Sequence, residues 1–175
     1  MIFYSAILIL LSGIWILFTY TSNLKNNNDY YSAPQTGFLA PNFKLFDIDG
    51  KEYQLSNFKD HLVIVNIWAS WCKPCQYEMP AMQNIYEQYK DSGLILLAVN
   101  NTYQDSYSNV VSFVKSNQLT FPILLDQDGE VSSLYKVQAL PSTYFIDRTG
   151  TISEIIIGGP MSEALIESKI KEMDN

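Results

Sequence analysis

Both cysteines of the chain, Cys72 and Cys75, lie in the stretch WASWCKPCQYEMP (68–80), with Lys73 and Pro74 between them and Glu78 three residues further on. Two thiols at this spacing can be half of a zinc site, a structural staple or a working redox couple. A structural zinc site takes four Cys or His ligands, and the chain holds two cysteines and one histidine, His61, so a metal reading needs a second chain. No cofactor is called for. His61 precedes an apolar run and reads as a loop residue, which leaves nucleophile-plus-histidine catalysis little to stand on. Sulfur redox chemistry is the leading reading, because the pair follows an apolar strand and opens a helical pattern. At a helix N-terminus the unpaired N–H groups and the macrodipole stabilise an anion and lower a thiol pKa. Cys72 is the better placed of the two, an exposed nucleophile with Cys75 as its resolving thiol. Pro74 suits the first helical turn, where its missing N–H has no partner to lose. Lys73 either favours the Cys72 thiolate by its charge or is simply solvated.

On a helix, Glu78 shares a face with Cys75, in the apolar company of Met79, Ala81 and Met82. A carboxyl group in such surroundings has a raised pKa and can exchange protons near neutrality; the alternative is a solvated helix glutamate. Pro80 is expected to kink the helix by removing an internal hydrogen bond. Trp68 and Trp71 read as packing and as a lid beside the sulfurs.

The elements that must position these residues are legible as patterns. LVIVNIW (62–68), LILLAVN (94–100) and FPILL (121–125) are short apolar runs of strand length, suited to strands buried on both faces. Helical spacing covers Cys75 to Tyr89 and Tyr107 to Asn117, the second with Val110, Val111 and Val114 on one face. FKLFDIDGKEYQL (43–55) predicts a hairpin around Asp49-Gly50, and STYFID (142–147) and TISEIII (151–157) predict another around Arg148-Thr149-Gly150. Ser162 can cap a last helix that runs through Met173. Strands alternating with helices, closed by a hairpin and a helix, make a mixed α/β sandwich.

Ahead of this pattern, Ile2 to Tyr20 is nineteen residues without a charge, about the length that crosses a bilayer as a helix. We read 1–20 as a transmembrane anchor into the lipid bilayer. A cleaved signal peptide competes, but the run is long for one and no Ala-x-Ala site follows. Lys25, the one basic residue nearby, would hold the following chain in the cytoplasm if the positive-inside bias were taken literally. Residues 21–36, rich in Asn, Ser and Tyr, read as a flexible linker with an r.m.s. span of about 22 Å, and 37–175 as the folded domain. A formal charge of −7, with eleven Lys and Arg scattered singly, leaves no basic surface for phosphates, so no nucleic-acid partner is expected.

The chain resembles the TlpA/ResA-like thioredoxin-fold thiol-disulfide oxidoreductases, related to AhpC/TSA proteins. The resemblance is carried by APNFKL (40–45), DGKEYQLSNFK (49–59), VNIWASWCKPCQYEMP (65–80), LILLAVN (94–100), FPILLDQDGEV (121–131) and ALPSTYFIDRTGTI (139–152). It implies a thioredoxin-like fold behind one transmembrane helix: a central mixed β-sheet flanked by helices, an N-terminal β-hairpin, and an inserted helix and strand within Asn101 to Leu125. It further implies a redox-active Cys72–Cys75 disulfide, Glu78 as acid/base, and substrate contacts from Trp71, Lys73, Pro74, Leu140 and Pro141. Pro141 is then the cis-proline that faces the cysteines; from the residues alone it could be an ordinary turn proline. The expected activity is reduction of disulfides in client proteins outside the cytoplasm, apocytochrome c first among them, with a CcdA-like membrane protein as electron donor. Two alternatives stand beside it. A peroxiredoxin-type peroxidase would place Thr or Ser where this chain has Ala69, and its one arginine, Arg148, falls in a predicted turn. A redox-inactive binding or chaperone module would leave the cysteine pair unexplained.

Overall fold

The computed structural model describes residues 32–174; the anchor expected at 1–20 and most of the 21–36 linker lie outside them. Among the described residues no helix is long and apolar enough to cross a membrane. The first described hairpin pairs β1 (Lys44–Phe46) with β2 (Glu52–Gln54) around the Asp49-Gly50 turn, as expected. There follow β3 (Leu62–Trp68), α1 (Lys73–Tyr89), β4 (Leu94–Asn100), α2 (Tyr107–Ser116), β5 (Ile123–Leu125), α3 (Glu130–Leu134), β6 (Ser142–Ile146), β7 (Ile152–Ile157) and α4 (Glu163–Met173). The main sheet has the order β5-β4-β3-β6-β7, with β3, β4 and β5 parallel and β6 and β7 antiparallel. This is the mixed α/β sandwich the sequence patterns predict, and the segment 101–125 supplies the inserted helix α2 and strand β5.

The continuous apolar run of β3 has its reason in the two cores. Side chains alternate across a strand, so Leu62, Ile64 and Trp68 enter one core with Met79, Met82 and Ile85 of α1 and Ile166 and Ile170 of α4. Val63, Val65 and Ile67 enter the other, with Leu97, Val99, Tyr135 and Tyr144. Asn66 shares the parity of Ile64 and Trp68, so it points toward α1, and every residue of β3 is buried. Gly93, at φ 92, takes the left-handed conformation that ends the turn after α1 and returns the chain into β4.

The main departures from expectation are two element starts and one added helix. α1 begins at Lys73, because Cys72 caps it, and β5 begins at Ile123. The helix α3 was not anticipated: five residues behind Gly129 are too short to show a period. Pro80 sits inside α1, which continues as one helix to Tyr89.

Antiparallel pairing of β3 with β6 matches Ile67 with Ser142 and Val63 with Ile146. Pro141 therefore lies at the cysteine end of the sheet and Arg148 at the opposite end. Residues near both ends of the described chain also gather at that opposite end. Ala40 N donates to Gly150 O, Leu39 bridges to Thr151, and Arg148 binds Asp174 at 2.8 Å.

Candidate active site

Cys72 and Cys75 are joined as a disulfide. Cys72 is the N-cap of α1: its backbone is extended, at φ −77 and ψ 109, and its Sγ accepts from Cys75 N at 3.3 Å. A helix N–H thus already points at the sulfur that would carry the negative charge after reduction. Pro74 falls in the first turn, and Lys73 is exposed and binds Gln76 Oε1 at 3.2 Å. Cys72 is 4% exposed and Cys75 not at all. The expected exposed nucleophile is thus nearly covered, yet Cys72 alone of the pair borders a cleft of about 640 Å³. Trp71, Lys73, Pro74, Tyr103 and Leu140 line the same cleft. Trp71 is half exposed, with its Nε1 donating to Gln104 O, whereas Trp68 is fully buried against Phe113. The Leu140–Pro141 peptide bond is cis, and Pro141 is buried.

Glu78 lies in the buried stripe of α1, formed by Cys75, Glu78, Met79, Met82 and Ile85. Its side chain has no exposure. Burial raises its pKa from 4.5 to about 7, against the lowering effect of hydrogen bonds from Met161 N and Asn66. Asn66 Nδ2 donates to Glu78 Oε1 at 2.9 Å and to Thr143 Oγ1 at 2.9 Å, and Met161 N donates to Oε2 at 3.1 Å. Asn66 and Thr143 face each other across β3 and β6. The apolar neighbours expected from the sequence are present, and these polar partners are additional. Of them, Asn66 carried a signal, as the one polar residue in LVIVNIW; Thr143 and Met161 come from segments far along the chain.

A second carboxylate supports the site from the other side. Asp105, in the loop after β4, accepts from Ser70 N at 2.6 Å, Ser70 Oγ at 2.7 Å, Asn100 Nδ2 at 3.0 Å and Ser106 N at 2.8 Å. Gln76 Nε2 donates to Ser70 O, so the residue two before Cys72 is held on both sides. Partial burial alone would raise the Asp105 pKa, but these hydrogen bonds outweigh it and leave it below 3.8.

The residues a peroxidase would use are not assembled here. Ala69 is buried among apolar side chains, and Arg148 binds Asp174 and Asp60 O at the far end of the sheet. His61 lies in the loop before β3, with Nδ1 on Lys59 O.

The profile of the AhpC/TSA family matches residues 36–155. The thiol-disulfide oxidoreductase ResA of Oceanobacillus iheyensis is 40% identical over 162 residues, covering 90% of this chain and 81% of that protein. The thioredoxin-like protein YneN of Bacillus subtilis is 39% identical, covering 78% and 79%. Among solved structures, StoA from Bacillus subtilis superposes with a TM-score of 0.66 at 31% identity, covering 74% of this chain and 96% of that one.

Proposed function

The chain belongs to the AhpC/TSA family, its fold is thioredoxin-like, and from that premise we propose that it is a membrane-tethered reductase of client-protein disulfides outside the cytoplasm. It is a thiol-disulfide oxidoreductase, with a Cys-x-x-Cys pair at bonding distance. The observation that carries the reading is the asymmetry of that pair: the Cys72 sulfur caps the helix at the edge of the cleft, and Cys75 is sealed behind it.

In the reduced protein the Cys72 thiolate attacks one sulfur of the client disulfide, whose S–S bond breaks. The first client sulfur leaves as a thiolate and takes a proton from solvent. Cys75 passes its proton to Glu78 and attacks Cys72 Sγ, and the second client sulfur leaves and is reprotonated. Two electrons pass from the protein dithiol to the client, leaving the Cys72–Cys75 disulfide and two client thiols. A donor dithiol resets the pair. Trp71, Lys73, Pro74, Leu140 and Pro141 hold the client segment beside Cys72.

The uncharged Ile2 to Tyr20 run supports the tether, with 21–36 as linker and 37–175 as the working domain. The resemblance to TlpA/ResA-like proteins supports placement outside the cytoplasm, apocytochrome c as first client and a CcdA-like donor. One experiment tests these together. A full-length Cys75→Ala variant is expected to stall as a mixed disulfide recovered from carbonate-washed membranes, its client readable by mass spectrometry. Equal trapping by Cys72→Ala would refute the assigned roles, and recovery from the soluble fraction would sink the tether.

A further inference from the structure

We infer that Gly159 is a positioning residue for Glu78, its missing side chain leaving the space in which the Glu78 carboxylate meets the Pro141 ring. The inference rests on Glu78 being the acid/base of the reaction proposed above. Gly159 is exposed, in the segment that joins β7 to α4. A Cβ built on it would come within 2.8 Å of Glu78 Oε2 and 2.8 Å of Pro141 Cγ, well inside the separation at which carbon contacts are attractive. Its φ lies outside the left-handed region, so alanine could adopt the backbone there. Lack of room, rather than backbone conformation, calls for glycine.

The two neighbours differ in how they can yield. Pro141 is a ring fixed in the chain, and its carbonyl accepts from Gly158 N at 2.7 Å. The Glu78 carboxyl ends a flexible side chain, and the oxygen nearest Gly159 is Oε2, the one that accepts from Met161 N. A methyl group at position 159 therefore pushes the carboxyl off that N–H. Losing a donor disfavours the ionised form. On its own helix Glu78 shares the buried stripe with Cys75, which titrates only when the disulfide is reduced. β3 and β6 contribute the neutral Asn66 and Thr143, and Glu163 at the start of α4 binds Asn84 instead.

Gly159→Ala is expected to keep the fold and the disulfide, with an unfolding temperature lowered by the lost Met161 hydrogen bond. The pH midpoint of client-disulfide reduction should move upward and kcat fall about tenfold, a part of the roughly 10²–10⁴-fold that a general acid/base supplies, with KM unchanged. In a Glu78→Gln background the same change should add nothing. A raised KM with an unmoved midpoint, or a loss additive to that of Glu78→Gln, would place the effect on Pro141 and overturn the inference. If Glu78→Gln flattens the pH profile while Gly159→Ala behaves as wild type, this inference alone falls; if Glu78→Gln has no effect, the acid/base reading falls with it. A measurement on the unmodified full chain guards against a variant that fails to fold. The Met161 amide resonance should titrate with the Glu78 midpoint, and an amide that does not move with pH would overturn the inference.

Discussion

Asp105 and Glu78 bracket the cysteine motif from opposite sides, one holding Ser70 before it and the other lying one turn beyond it, and they have been given opposite characters. Asp105 is partly buried and accepts four hydrogen bonds, two of them from the backbone, and its pKa lies below the ordinary value. Glu78 is fully buried and accepts two, and its pKa is raised to about 7. Burial pushes both upward; the number of donors decides whether the push is overcome. A carboxylate with four donors is a fixed ion that clamps a loop. With two donors in an apolar stripe, a carboxylate can take up and release a proton near neutrality.

The comparison is sharpest in stability against pH, measured on the oxidised protein, where the thiols do not titrate. For Glu78 the folded-state pKa lies above the unfolded one, so its contribution is fully present below 4.5 and is lost as pH rises through about 7. That interval corresponds to roughly 3 kcal/mol. Denaturant unfolding between pH 4.5 and 8 should show the loss, and Glu78→Gln should remove it; a slope that survives in Glu78→Gln would assign it to another group. For Asp105 the sign reverses. Its contribution is present above 3.8 and is lost as pH falls through the lowered value. Asp105→Ala should cost about 2 kcal/mol at neutral pH, given what hydrogen bonds to charged groups contribute. It should also flatten the acid limb of the stability curve while sparing the Glu78 slope. If Asp105→Ala unfolds at the wild-type denaturant midpoint, the clamp is not a clamp. The smallest effect is expected from Asn66→Leu, which removes one of the two donors to Glu78, an interaction of about 1 kcal/mol. The upper pH break should shift upward, and an unmoved break would mean that Met161 N alone sets the carboxyl.

The contrast between these carboxylates also marks how far the sequence could be read. Glu78 was recognisable, since its spacing from Cys75 and its apolar neighbours are local facts of one helix. The strands, hairpins and long helices were legible for the same reason, continuous apolar runs and periods of two and 3.6 being written into consecutive residues. Asp105 was not, because its role depends on a loop 35 residues from Ser70 folding back against it. Met161 reaches Glu78 across 83 positions and Thr143 reaches Asn66 across 77. No local period records such meetings. The need for glycine at 159 is likewise invisible from one chain, as its cause is two atoms from other segments. Asn66 is the intermediate case: a lone amide in an apolar strand signals a buried partner without naming it.

Because β3 and β6 run antiparallel, Leu39, Thr151, Arg148 and Asp174 all gather at the end of the sheet away from Cys72. Residues near both ends of the described chain therefore lie at its back. Coupled to a bead or an electrode through a side chain at that end, the domain would hold its redox mouth outward, so orientation on a solid support comes with the topology and requires no engineered linker chemistry near the disulfide.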